Sequence, residues 1–244
     1  VQVNGRRYAQ FGRLRVEPGL VHAFATRPLN VAPRADDGAV QRAANRALLA
    51  ADWGFDPQRL GFCQQVHATN LAIVDGEHRG GPLGDCDGVV TVVVDVPLMT
   101  FSADCPLILV YDPRLRVLGM AHASWRCTVG QIAGKLVRLM TESYGCDPAD
   151  LLAGIGPGAG PCCYEVKDDV YEAAASLADR DRLFAQRDGR LYFDLWAASG
   201  AQLRAAGLRA ENIESAEVCT LCRNDLFYSY RREGPGCGHF GLMA

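Results

Sequence analysis

The chain has 244 residues, about half of them apolar, and a net charge of −3 with both signs spread along its length. That is enough apolar material for a full core, while no basic block points to nucleic acid and no acidic tail to a charged partner. The longest apolar stretch, Val89 to Met99, is interrupted by Asp95 and Pro97 and cannot span a bilayer.

In chain order, "RLRVEPGLVHAFATR" reads as short strands around a Pro-Gly turn. "GAVQRAANRALLAADWG" is an amphipathic helix that stops at Gly54. A strand series follows: Leu71 to Val74, Val89 to Val94, Leu98 to Ala103, Leu107 to Tyr111 and Val117 to His122. Their near-continuous apolar runs predict strands covered on both faces. "TVGQIAGKLVRLMTESYG" has helical periodicity up to Gly145, and "LLAGIGPGAGPCCYEV" is a strand entering a Gly/Pro loop. Helices are expected from Asp168 to Leu177 and in "FDLWAASGAQLRAAGL", the latter with Asp194 as N-cap. "NIESAEVCT" and "LFYSYRR" read as final strands. The pattern contains no repeat, linker or regular βαβ alternation, so the expected fold is one α/β (α+β) domain over 1–244, with layered mixed sheets and flanking helices.

Three residues stand at the ends of apolar runs, where strands meet loops: His67 in "CQQVHATN", Cys105 in "FSADCPLILVYD" and His122 in "GMAHASWRC". Singly, each reads as a buried packing residue. Together they match a two-histidine, one-cysteine zinc set with its fourth position open. Arg126 follows Trp125 ahead of a helix, where a guanidinium and helix N-terminal amides would make an anion site. Arg27, Asp87, Asp104, Arg231 and Arg232 are further polar candidates, of a kind more often structural. "GIGPGAG" matches no phosphate-cradling pattern and reads as a tight loop.

Ten cysteines is a high count for a chain too long to need disulfide staples. No signal peptide is recognisable, so reduced thiols in the cytoplasm are expected. Cys219 and Cys222 form a single CxxC, open to structural zinc, a redox pair or plain core thiols. Cys162 and Cys163 are adjacent, so at most one of them would ordinarily serve a given site.

The segments "QVH", "DCDGVVT", "SADCPLILVYD", "AHASWR", "IGPGAGPCCYEV", "FDLWAASGAQLRAAG" and "CTLCRNDLFYSYRREG" carry a resemblance covering most of the chain from about Val21. They resemble, in order and spacing, the multicopper polyphenol oxidoreductase (laccase-domain) family. That family is also called the peptidoglycan editing factor family and the zinc-dependent purine nucleoside phosphorylase family. The resemblance implies that His67, Cys105 and His122 are zinc ligands. It also implies phosphorolysis of adenosine, inosine, guanosine or methylthioadenosine, with adenosine deamination beside it. Purine nucleosides and phosphate are then the partners, with Arg27 and Arg126 as candidates for the anion. Family glycines are replaced by Ala68, Ser124 and Cys127, the usual Gly-Arg near the C-terminus reads Gly238-His239, and the Gly-rich loop after Arg27 is shortened.

Three other functions compete. A copper phenol oxidase would need many histidines in His-x-His pairs; this chain has five and no such pair. Copper in the His67, Cys105, His122 set would be an adventitious occupant. A cysteine hydrolase would use Cys105 as nucleophile, and a non-catalytic metal-binding protein would use the ligands alone.

Overall fold

The computed structural model describes residues 1–33, 36 and 38–244. Two large sheets lie face to face. One has seven strands in the order Gln2–Val3, Arg6–Ala9, Ala23–Ala25, Phe240–Met243, Leu98–Ser102, Gly61–Gln64 and Gly81–Asp85. The other has six: Ile213–Ser215, Leu152–Ile155, Leu107–Asp112, Val117–His122, Gly88–Thr91 and Leu71–Val74. Both mix parallel and antiparallel pairs. A small antiparallel sheet of Glu165–Val166, Arg190–Phe193 and Phe184–Arg187 stands apart from them.

The alternation of side chains along each strand explains the layering. Leu107, Leu109 and Tyr111 point into the core between the sheets, where they meet Phe24, Leu98 and Phe240. Their neighbours Ile108 and Val110 point the other way, onto Leu136, Val137 and Met140 of helix Ile132–Tyr144. On the far side of the seven-stranded sheet, Met99, Phe101 and Met243 pack with Leu49 and Ala50 of helix Ala39–Asp52. The result is helix, sheet, sheet, helix. Strands Leu107–Asp112 and Val117–His122 are buried along their whole length, as their unbroken apolar runs require.

The expected architecture holds, with local corrections. Leu14–Val16 is a 3₁₀ turn and only Ala23–Ala25 of that segment is a strand. The helix expected after Arg126 is two: Trp125–Val129 and Ile132–Tyr144, separated at Gly130 and at Gln131, whose φ is +66°. "LFYSYRR" is not a strand. Ser229 accepts a hydrogen bond from the Arg232 amide at 3.3 Å and caps a short helix, Tyr230–Glu233. The last strand is instead Phe240–Met243, wedged between Ala23–Ala25 and Leu98–Ser102. Among the described residues, no helix is long and apolar enough to cross a membrane.

Candidate metal centre and its cleft

The seam between the two large sheets is where the strand ends converge. His67 follows strand Gly61–Gln64, Cys105 follows Leu98–Ser102, and His122 ends Val117–His122. One nitrogen from each histidine and the Cys105 Sγ lie within 4.8 Å of one another. The two imidazoles meet edge to face, with ring centroids 4.9 Å apart.

Asp87, which the sequence offers as one of several polar candidates, organises this group. It is fully buried just before strand Gly88–Thr91. Its Oδ1 lies 2.9 Å from His122 Nδ1, leaving Nε2 as the second donor of that ring. The same carboxylate accepts the backbone N–H groups of Val66, His67 and Ala68 at 3.2, 3.1 and 2.8 Å. Burial works against its charge, yet the bonds from His122, Ala68 and Val66 hold its pKa below the ordinary carboxylate value. The loop amides matter because His67 has φ +58°, a left-handed conformation that a non-glycine residue adopts only when it is held. Asp104, beside Cys105, is held likewise at φ +106°. Its Oδ1 accepts from the Thr220 hydroxyl at 2.6 Å and its Oδ2 from the Arg231 amide at 2.7 Å.

Protonation suits metal binding. Burial, and then the neighbouring His122, lower the His67 pKa, so its imidazole is neutral and has a lone pair to give. Burial, and then the Asp104 charge, push the Cys105 thiol above its ordinary value. Without a cation that thiol keeps its proton; a bound divalent metal removes it.

The three donors sit in a cleft of about 500 Å³, walled also by Phe101, Trp125, Arg126, Tyr164, Tyr230 and His239. A larger groove of about 670 Å³ runs along helix Ile132–Tyr144, but no histidine or cysteine lines it.

Arg126 reaches the cleft. Its guanidinium lies 4.2 Å from the Trp125 ring centroid, and among the described residues no carboxylate pairs with it. The helix that carries it has only five residues, and Ser124 Oγ already takes the Cys127 amide at 3.2 Å. Charge, more than helix amides, is therefore what this wall offers an anion. Arg27 is not brought to the cleft. It ion-pairs with Glu233 and covers the Tyr228 ring at 4.0 Å, bracing the short helix behind Tyr230. Two of the altered family positions, Ser124 and Cys127, are buried and packed against each other. Buried Cys127 accepts from Ser124 Oγ at 2.8 Å, and burial pushes its thiol up to about 12.

The Gly/Pro loop is a close-packed one. A Cβ on Gly158 would come within 2.8 Å of the Pro106 ring, and one on Gly160 within 2.6 Å of Trp196. This loop brings Cys162 and Cys163 beside Cys219 and Cys222, all four sulfurs within 4.8 Å of one another. The expectation that adjacent cysteines diverge applies to strands; Cys162 and Cys163 lie in a turn, and both sulfurs face the same neighbours.

Residues 18–244 match the family model described as multi-copper polyphenol oxidoreductase laccase. The chain is 34% identical over 215 residues to purine nucleoside phosphorylase YlmD of Geobacillus stearothermophilus, covering 84% of this chain and 78% of that protein. It is 30% identical to adenosine deaminase RL5 of an unknown prokaryotic organism, over 86% of this chain and 84% of that one. The crystal structure of YlmD from Geobacillus stearothermophilus superposes with a TM-score of 0.89 at 30% identity, over 97% of each chain.

Proposed function

This chain belongs to the multi-copper polyphenol oxidoreductase laccase family, and we propose that it is a zinc-dependent purine nucleoside phosphorylase that also deaminates adenosine. Residues 1–244 form a catalytic domain that works in the cytoplasm on purine nucleosides and phosphate. His67, Cys105 and His122 hold the zinc. The donor set fits that ion: two imidazoles and one thiol, one imidazole oriented by a buried carboxylate, with open space on the cleft side. When bound, zinc supplies Lewis acidity and a concentrated positive charge at the cleft floor.

The chain's own residues supply the rest. Trp125 and Tyr230 present flat aromatic surfaces for the purine. Arg126 binds phosphate as a planar fork of donors. Asp87 keeps the proton of His122 on Nδ1, so the ring's other nitrogen stays a donor to the metal. The carrying observation is the convergence on a single aromatic-walled cleft of three metal donors and the Arg126 guanidinium, which pairs with no carboxylate among the described residues.

Two older readings of the same residues are weaker. Copper phenol oxidation needs a histidine-rich cluster, yet His22 is spent in the core accepting the Phe11 amide at 2.9 Å, and His78 lies outside the cleft. Copper in the three-donor set remains adventitious. A cysteine hydrolase needs a thiolate, whereas burial and Asp104 hold the Cys105 proton in place. The test is metal analysis of purified protein beside an inosine-plus-phosphate assay for hypoxanthine. Zinc without hypoxanthine release would leave a non-catalytic metal-binding protein; release that survives complete zinc removal would defeat the proposed mechanism.

A further inference from the structure

Outside the cleft, the largest group of metal-capable side chains among the described residues is the set Cys162, Cys163, Cys219 and Cys222. The four are free thiols. Cys222 Sγ lies 3.8 Å from Cys162 Sγ and 3.5 Å from Cys163 Sγ. Those separations are too long for disulfides, whose S–S bond is about 2.05 Å. They match a metal tetrahedron, since Zn–S bonds of about 2.3 Å put the sulfurs roughly 3.8 Å apart.

The backbone around the cluster is shaped for thiolates. Cys219 Sγ accepts the Gly160 amide at 3.4 Å. An N–H donated to a sulfur is worth most when that sulfur is anionic. Four thiolates around a divalent ion leave a net negative charge, and two guanidiniums flank the cluster where that charge would fall. Arg187 donates to the Pro161 carbonyl, next to Cys162. Arg232 donates to the Leu221 carbonyl at 2.6 Å, next to Cys222.

We propose that Cys162, Cys163, Cys219 and Cys222 form a second, four-thiolate zinc site, closed and structural, independent of the cleft and of the reaction proposed for it. Binding converts four thiols to thiolates and releases their protons to solvent, with no change of oxidation state. The site ties the Gly/Pro loop to the C-terminal segment. The two are otherwise joined by backbone bonds from Gly158 to Val218 at 3.1 Å and from Thr220 to Gly158 at 3.0 Å. Both segments grip Asp104, the loop through the Ala159 amide on its carbonyl at 2.6 Å and the other through the Thr220 hydroxyl. The second zinc thereby braces the residue next to Cys105.

The test loads the full chain with cobalt(II) under reducing conditions and reads thiolate-to-cobalt charge-transfer absorption, which grows with the number of sulfur ligands. Alongside it, zinc is counted in wild type, in Cys105→Ala, and in Cys219→Ser/Cys222→Ser. Cobalt absorption of a four-thiolate centre is expected, with about one zinc per chain kept by Cys105→Ala and lost from the wild-type total in the double variant. The wild-type cobalt spectrum decides the matter even if the double variant fails to fold. A spectrum with one thiolate only, a Cys105→Ala protein devoid of zinc, or a reduced-purified chain whose mass is lighter by the hydrogens of a disulfide among these four would each overturn the site.

Discussion

The cleft and the four-cysteine cluster are both metal-capable, and they are built in opposite ways. The cleft draws single donors from three strand ends far apart in sequence, sets one of them at a left-handed φ, and secures two of them with one buried carboxylate. The cluster draws paired donors from two surface turns, with Cys162 and Cys222 exposed. Three donors of mixed type beside a cavity leave a coordination position for chemistry; four thiolates leave none. Strain and burial gather at the first, as expected of a site that must hold a reactive geometry, whereas short-range turn geometry is enough for the second.

The sharpest way to break this comparison is to take one thiol from each site. Cys105→Ala should lower phosphorolysis by more than about 100-fold, because it removes a metal ligand at the reacting position. Loss of zinc from the other site should leave much of the catalytic rate, with thermal stability carrying the effect. Equal losses of rate from Cys105→Ala and Cys222→Ser, at temperatures where both variants are folded, would erase the distinction between an open and a closed site.

Asp87→Asn asks whether the cleft depends on its buried organiser. The substitution keeps the shape but removes the charge opposite His122 Nδ1. A decrease of about 10–100-fold in zinc affinity is expected, measured by competition with a chelator, with the cobalt spectrum of the cysteine cluster unchanged. Unaltered affinity would reduce Asp87 to a loop anchor for Val66, His67 and Ala68.

Arg126→Ala probes the cleft's anion wall. Losing a charge-assisted bond to phosphate costs about 1.5–3 kcal/mol, so phosphorolysis should decrease roughly ten- to a hundredfold while zinc stays bound. Adenosine deamination consumes water and no phosphate, so it should change less. Arg126→Lys should recover only part of the loss. Equal effects on the two reactions would remove Arg126 from phosphate binding.

How much of this was legible in the sequence divides along the same line. Donors at the ends of strong apolar strands were visible, because unbroken runs such as Leu107–Asp112 and Val117–His122 mark buried strands and their termini. Asp87 was visible as a residue but not as the organiser, since only pairing of Gly88–Thr91 with Val117–His122 sets it against the His122 ring. The pairing of Arg27 with Glu233 has no signal in the sequence, because the two lie about 200 residues apart and no local pattern couples them. The four-cysteine cluster was illegible for a similar reason. Its two halves come together through the bridge between Gly158 and Cys219, and the turn at Cys162 and Cys163 escapes the alternation assumed for adjacent residues. Strand Phe240–Met243 was missed because four residues at a chain end give too little periodicity to read.

The smallest expected effect comes from a residue that joins the two regions. Thr220 lies next to Cys219, is fully buried, and gives its hydroxyl to Asp104 Oδ1 at 2.6 Å. Thr220→Val keeps the volume and removes the donor. A buried carboxylate oxygen then loses a partner, which costs about 1–3 kcal/mol. For a chain of this length that is a fall of roughly 2–10 °C in Tm. Asp104 Oδ2 still holds the Arg231 amide, so the left-handed turn before Cys105 slackens without collapsing. Zinc content and the cobalt spectrum of the cluster should be unchanged, while kcat falls by no more than about tenfold. If Tm decreased and kcat did not, Asp104 would be a joint of the fold with no hold on Cys105. If the cobalt spectrum also shifted, the hydroxyl would be supporting the cysteine turn itself, and the two sites would have to be treated as one mechanical unit.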